Sequence, residues 1–187
     1  MIILVMGPTG SGKTTIGTLL AKRLGFEFVD ADDFHSAANK EKIHKGIALT
    51  DADRAPWLAA IHDQIERWIA EHWIAEHRNV VLACSALKRS YREQLWDSSS
   101  DFCLVYLKGS YNLIYQRLLA RKGHFADEHI LASQFATLEE PSDAIIVDIG
   151  GTPEEIVGQI CIRLGLDSAG GQVRTNAAKV SQHEHNR

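Results

Sequence analysis

The sequence predicts an α/β domain: a five-stranded parallel sheet covered by helices on both faces. Three observations predict it. Five short apolar runs alternate with stretches of helical periodicity. The runs are continuous rather than alternating, as in strands buried on both faces. The first run ends in a glycine-rich loop that opens a helix, and ligands of such sheets bind at strand ends of this kind.

The elements follow in order. Ile2 to Met6 reads as a buried strand, and Ile16, Leu19, Leu20 and Leu24 recur at helical spacing until Gly25 stops the helix. Phe26 to Asp30 is the second strand. A short polar helix is expected from about Ala37 to Lys45, closed by Gly46. A long helix is expected to begin near Asp53 as N-cap, with Pro56 near its first turn and a stripe of Trp57, Leu58, Ile61, Ile65, Trp68 and Ile69. That helix carries a tandem copy, Trp68-Ile69-Ala70-Glu71-His72 followed by Trp73-Ile74-Ala75-Glu76-His77. Five is not a helical period, so the second copy turns its apolar residues off the first stripe. Val80 to Cys84 and Phe102 to Leu107 read as strands, with helices at Lys88 to Leu95 and Tyr111 to Ala120. A strand from Ala144 to Ile149 precedes a last helix, opened by Thr152-Pro153-Glu154-Glu155 and running to about Leu164. From Ser168 the periodicity ceases, and 168–187 is expected to be a disordered tail after a single domain at 1–167.

The chain has 187 residues, 45% hydrophobic and 24% charged, the balance of an ordinary soluble domain. Its net charge of -4 gives no reason to expect nucleic acid or an anionic membrane as partner, so any anionic substrate needs locally gathered cations. Cys84, Cys103 and Cys161 are too widely spaced for zinc or a disulfide framework and read as reduced core thiols. The run at 1–7 lacks a basic leader and is too short to span a bilayer, so the protein reads as cytoplasmic.

The chemistry begins at Gly7-Pro8-Thr9-Gly10-Ser11-Gly12-Lys13-Thr14, which fits G-x-x-x-x-G-K-[ST] between a strand and a helix. Glycines let successive amides converge on phosphate oxygens, and the helix start adds its positive end. Lys13 can reach the β- and γ-phosphates of ATP, and the Thr14 hydroxyl can ligate Mg²⁺. Gly7, Thr9, Gly10, Ser11, Gly12, Lys13, Thr14 and Thr15 are therefore the candidate nucleotide site.

Further blocks name a substrate. They are Asp30-Ala31-Asp32-Asp33-Phe34-His35, Leu49 to Leu58, Ala83 to Arg92, Gly123-His124-Phe125, Ser133-Gln134-Phe135 and Leu138-Glu139-Glu140-Pro141. Together, and in this order, they resemble the bacterial-type gluconokinases over residues 1 to about 166. The resemblance implies a P-loop kinase of nucleoside-monophosphate-kinase type, with a substrate-side helical segment at about 36–77 and a lid at about 121–137. It implies transfer of the ATP γ-phosphate to the 6-hydroxyl of D-gluconate, and commonly a homodimer. The family usually has proline where Ser36 and Ala48 stand, and methionine near His44.

The resemblance also suggests roles. Asp32, with Asp33 second, would orient or deprotonate the acceptor hydroxyl; both also suit helix caps or turns. The third strand ends at Cys84-Ser85 with no acid, so Thr14, phosphates and water would hold Mg²⁺, with Asp30 or Asp32 helping. Arg54 would grip the gluconate carboxylate, unless it pairs with Asp51 or Asp53. His35, Lys88, Arg92, His124 and Gln134 are further substrate candidates, although Lys88 and Arg92 also suit a solvated helix face. Arg117 and Arg121, with Lys122, would reach the transferring phosphate or stack on adenine. A shikimate or nucleotide kinase is the near alternative, and a non-catalytic ATP-binding regulatory module the distant one.

Overall fold

The computed structural model describes residues 1–74, 79–95, 102–120 and 127–166. Five strands form one parallel sheet: β1 (Ile2–Met6), β2 (Glu27–Asp30), β3 (Val80–Ala83), β4 (Phe102–Lys108) and β5 (Ile145–Asp148). The order is β2-β3-β1-β4-β5. Ile2 pairs with both Val80 and Phe102, so β1 is the central strand.

The continuous apolar run of β1 has a structural reason. Ile3 and Val5 face one core and Ile2, Leu4 and Met6 the other. Helices α1 (Lys13–Leu24), α5 (Tyr111–Ala120) and α7 (Pro153–Leu164) pack on the first face, through Leu20, Ile114 and Ile160 among others. Helices α3 (Asp51–Ile74) and α4 (Arg89–Leu95) cover the second, through Trp57, Ile61, Ile65 and Leu95. The short α2 (Ala37–His44) and α6 (Asp127–Thr137) stand at the end of the sheet where the strands terminate.

Helix ends largely follow their signals. Gly25 takes a left-handed φ of 70° after α1, and Thr152 and Glu155 form a reciprocal capping box on α7. The start of α3 differs from the expectation. Thr50 is the cap: its hydroxyl accepts the Asp53 N–H at 3.2 Å, while the Asp53 carboxylate accepts the Thr50 N–H at 3.0 Å. Asp53 is thus the third helical residue of a capping box. Pro56 lies one turn deeper than expected, where it supplies no N–H to the ladder.

Helix α6 had no counterpart in the sequence reading, which expected an undivided lid at 121–137. The described part of α3 ends at Ile74, so the remainder of the tandem repeat, like the tail at 168–187, lies outside the described residues. Among the described residues no helix is long and apolar enough to cross a membrane.

Candidate active site

The carboxyl ends of β1, β2 and β3 open onto one cleft, lined by Thr9 and Lys13 on one side and Asp32, His35 and Arg54 on the other. The loop after β1 is built around positive φ angles: 151° at Gly7, 77° at Gly10 and 96° at Gly12. A Cβ on Gly7 would meet Ser11 Oγ at 2.7 Å and the Leu107 carbonyl at 3.1 Å, so backbone shape and packing both require glycine there. The Ser11 N–H donates to Pro8 O at 3.2 Å and closes the turn. Lys13 Nζ donates to the same carbonyl at 3.1 Å, so the ammonium is held over its own loop.

Thr14, in the first turn of α1, meets the end of β2. Its hydroxyl donates to Asp30 Oδ2 at 2.9 Å, and the other Asp30 oxygen accepts the Asp32 N–H at 3.1 Å. Asp30 therefore caps the single 3₁₀ turn Ala31–Phe34 while orienting Thr14. That turn decides the fate of the acidic cluster. It directs Asp32 into the cleft lining and leaves Asp33 exposed outside it.

His35 follows the turn and is buried. Its ring stacks on Trp57 with centroids 4.4 Å apart and planes 13° from parallel, and its Nε2 lies 3.9 Å from Asp32 Oδ1. Burial holds its pKa below the usual 6.5, Asp32 pulls it up, and Lys40 and Arg54 push it down. The neutral imidazole is therefore favoured. Trp57, read from sequence as core, has both roles: its indole N–H donates to Ala31 O at 2.7 Å while its ring lines the cleft.

Arg54 projects from α3 into the cleft with a side chain 17% exposed. Lys88 is not part of the lining; its ammonium binds the Asp51 carboxylate at 2.7 and 3.0 Å. Tyr91, unremarked in the sequence, lines the cleft and donates its hydroxyl to Asp51 Oδ1 at 2.5 Å. Arg92 is a correction. Its guanidinium is buried and donates to the carbonyls of Ala86 and Leu87 at 3.0 and 3.1 Å, away from the cleft. It holds a strained turn, since Ala86 has φ 41°.

Gln134 reaches the cleft from α6, but its Oε1 accepts the Thr9 N–H at 2.6 Å, so it touches the phosphate loop itself. Arg117 lines a separate hollow with Gly10, Gly12, Thr15, Gly151 and Pro153. Its guanidinium is fixed by a 2.5 Å bond to Ile149 O. Arg121 and His124 lie outside the described residues.

A phosphate loop at the tip of a central parallel strand, facing an acidic strand end across a cleft, defines a P-loop phosphotransferase. A family model described as an AAA domain matches residues 2–141. More particularly, the chain belongs to the gluconokinase family. The gluconokinase of Gluconobacter oxydans (strain 621H) is 50% identical over 141 residues, covering 75% of this chain and 76% of that protein. The crystal structure of a gluconokinase from Sinorhizobium meliloti 1021 superposes with a TM-score of 0.75 at 38% identity, covering 87% of this chain and 90% of that one. A shikimate kinase from Aquifex aeolicus shares the fold, with a TM-score of 0.53 at 18% identity and coverage of 88% and 96%.

Proposed function

We propose that this chain transfers the γ-phosphoryl group of ATP to the 6-hydroxyl of D-gluconate. One observation carries the chemistry: a single cleft is shared by the phosphate loop (Thr9, Lys13) and by an acid, an imidazole and an arginine (Asp32, His35, Arg54). The 50% identity to a gluconokinase supports the substrate. The shikimate kinase likeness, at 18%, is one of fold.

In this reading the loop amides and Lys13 neutralise the triphosphate, and Arg117 borders the hollow that takes the base. Thr14 suits Mg²⁺: its hydroxyl proton is committed to Asp30, which leaves its lone pairs for a cation. When bound, the ion draws charge off the β- and γ-phosphate oxygens. Asp32 orients the acceptor hydroxyl and takes its proton. Arg54 binds the carboxylate at the other end of the polyol chain through its planar fork. His35, neutral and braced on Trp57, offers a hydrogen bond to a hydroxyl between them. Gln134 serves through the loop amide rather than by gripping substrate alone. The segment at 36–77 forms the substrate side, and 121–137 a lid that excludes water. We also read the enzyme as a cytoplasmic homodimer.

A coupled ADP-release assay over sugar acids, shikimate and nucleoside monophosphates tests the proposal. Gluconate-dependent turnover is the expected result. Turnover with shikimate or a nucleotide alone would overturn the substrate, and tight ATP binding with no turnover would favour a regulatory module. Light scattering that gave a monomer mass would remove the dimer.

A further inference from the structure

Asp51, in the first turn of α3, accepts from two donor groups of another element, one or both on each oxygen. Lys88 Nζ donates to its Oδ1 at 3.0 Å and Oδ2 at 2.7 Å, and the Tyr91 hydroxyl donates to Oδ1 at 2.5 Å. Arg54 is three residues along the same helix, and its guanidinium stands 3.7 Å from Oδ1, within ion-pair reach but beyond a hydrogen bond. It lies instead 5.8 Å from the centroid of the Tyr91 ring, with the Lys88 ammonium 5.3 Å from the same ring. Arg54 and Tyr91 line the cleft; Asp51 and Lys88 do not.

The spacing makes this arrangement informative. An Asp–Arg pair three apart on a helix is placed to close into an ion pair. A carboxylate that engaged the Arg54 fork would occupy the same donors that a carboxylate substrate needs. Both Asp51 oxygens already accept from Lys88 and Tyr91, so the Arg54 pair stays at 3.7 Å and does not tighten into a hydrogen-bonded fork. We infer that Lys88 and Tyr91 are positioning residues that hold Asp51 short of hydrogen-bond contact with Arg54 and thereby keep the Arg54 N–H donors available to the substrate's carboxylate. The inference rests on the proposed reading of a sugar acid as acceptor. It assigns Lys88 an action through Asp51 and not a contact with substrate, and it adds Tyr91 and Asp51 to the residues that set affinity for acids.

The experiment is steady-state kinetics with gluconate and ATP on wild type, Lys88→Ala, Asp51→Asn and the double variant. Lys88→Ala frees Asp51 to swing onto Arg54. We expect the KM for gluconate to rise roughly tenfold, with kcat and the KM for ATP within about twofold. Asp51→Asn in that background removes the competing charge, so the KM should return to within about threefold of wild type. Tyr91→Phe should raise the KM in the same direction, by about threefold. A double variant that stays as weak as Lys88→Ala, or weaker, means that Lys88 binds substrate directly and overturns the inference. Should Lys88→Ala fail to fold, Lys88→Met keeps the stem and carries the same two expectations. A wild type without gluconate-dependent turnover would instead overturn the proposed function, and this inference with it.

Discussion

His35 shows how one side chain can carry both packing and chemistry. It is buried against Trp57 while its Nε2 faces Asp32. The unfolded chain takes up the imidazole proton near 6.5, the folded chain only at lower pH, because burial lowers the folded value. The stability tied to the neutral ring is therefore complete above pH 6.5 and declines as the pH falls towards the folded pKa. The thermal midpoint should drop between pH 7 and pH 5.5, and His35→Phe should drop less; parallel curves would contradict this. Asp32→Asn should lower kcat by roughly 10²–10⁴-fold with little change in the KM for ATP, the range of a lost general base. The phosphate loop was legible residue by residue because its chemistry is contiguous: one turn supplies the amides, Lys13 and Thr14. Arg92 was not. A helix-face argument sees a cation pointing outward, whereas this guanidinium folds back onto the Ala86 and Leu87 carbonyls at the start of its own helix. Removing it orphans the Ala86 carbonyl in a strained turn, so Arg92→Ala should cost about 2 kcal/mol in urea unfolding.

Two clasps set the geometry at the level of elements. The first ties α2 to α3: Lys42 binds Asp53 Oδ1 at 2.7 Å, and Asn39 Nδ2 donates to Asp53 O at 2.7 Å. Lys42 and then Thr50 hold the Asp53 carboxyl down at about 2. The second braces α6. Gln134 accepts the Thr9 N–H, and just beyond the helix the Glu139 N–H donates to Leu87 O at 2.9 Å while its carboxylate accepts the Arg89 N–H at 2.6 Å. Gln134→Ala should speed hydrogen exchange at the Thr9 amide and reduce kcat/KM for ATP by about tenfold, the scale of one lost hydrogen bond at a reacting centre. Unchanged exchange would mean that the brace does not act through the loop. Such clasps escape sequence reasoning because they join residues distant in the chain. Helix α6 escaped for another reason: Ile130, Leu131 and Phe135 make too short a stripe to stand out beside the basic cluster before it. The cap of α3 was misjudged because Thr50 and Asp53 are both capable caps, and only the reciprocal bonds between them show which one precedes the helix.

At the scale of the whole molecule, the sheet was legible because strands buried on both faces are apolar throughout, but their order was not, since nothing local states which runs are neighbours. Site and sheet are coupled by linkage. A nucleotide at a hundred times its Kd should stabilise the fold by about 2.7 kcal/mol, and the thermal shift should vanish in Lys13→Ala. A full shift in that variant would mean that the lysine adds nothing to nucleotide affinity. The strand order also dictates how the chain must come together in time. β1 ends at Met6, but its two neighbours begin only at Val80 and Phe102, and β2 likewise waits for Val80. No strand can find a partner until the ribosome has released about half of the domain, as far as β3 (Val80–Ala83). The oily segment that later carries the phosphate loop must travel alone until then, open to chaperones or to neighbouring nascent chains.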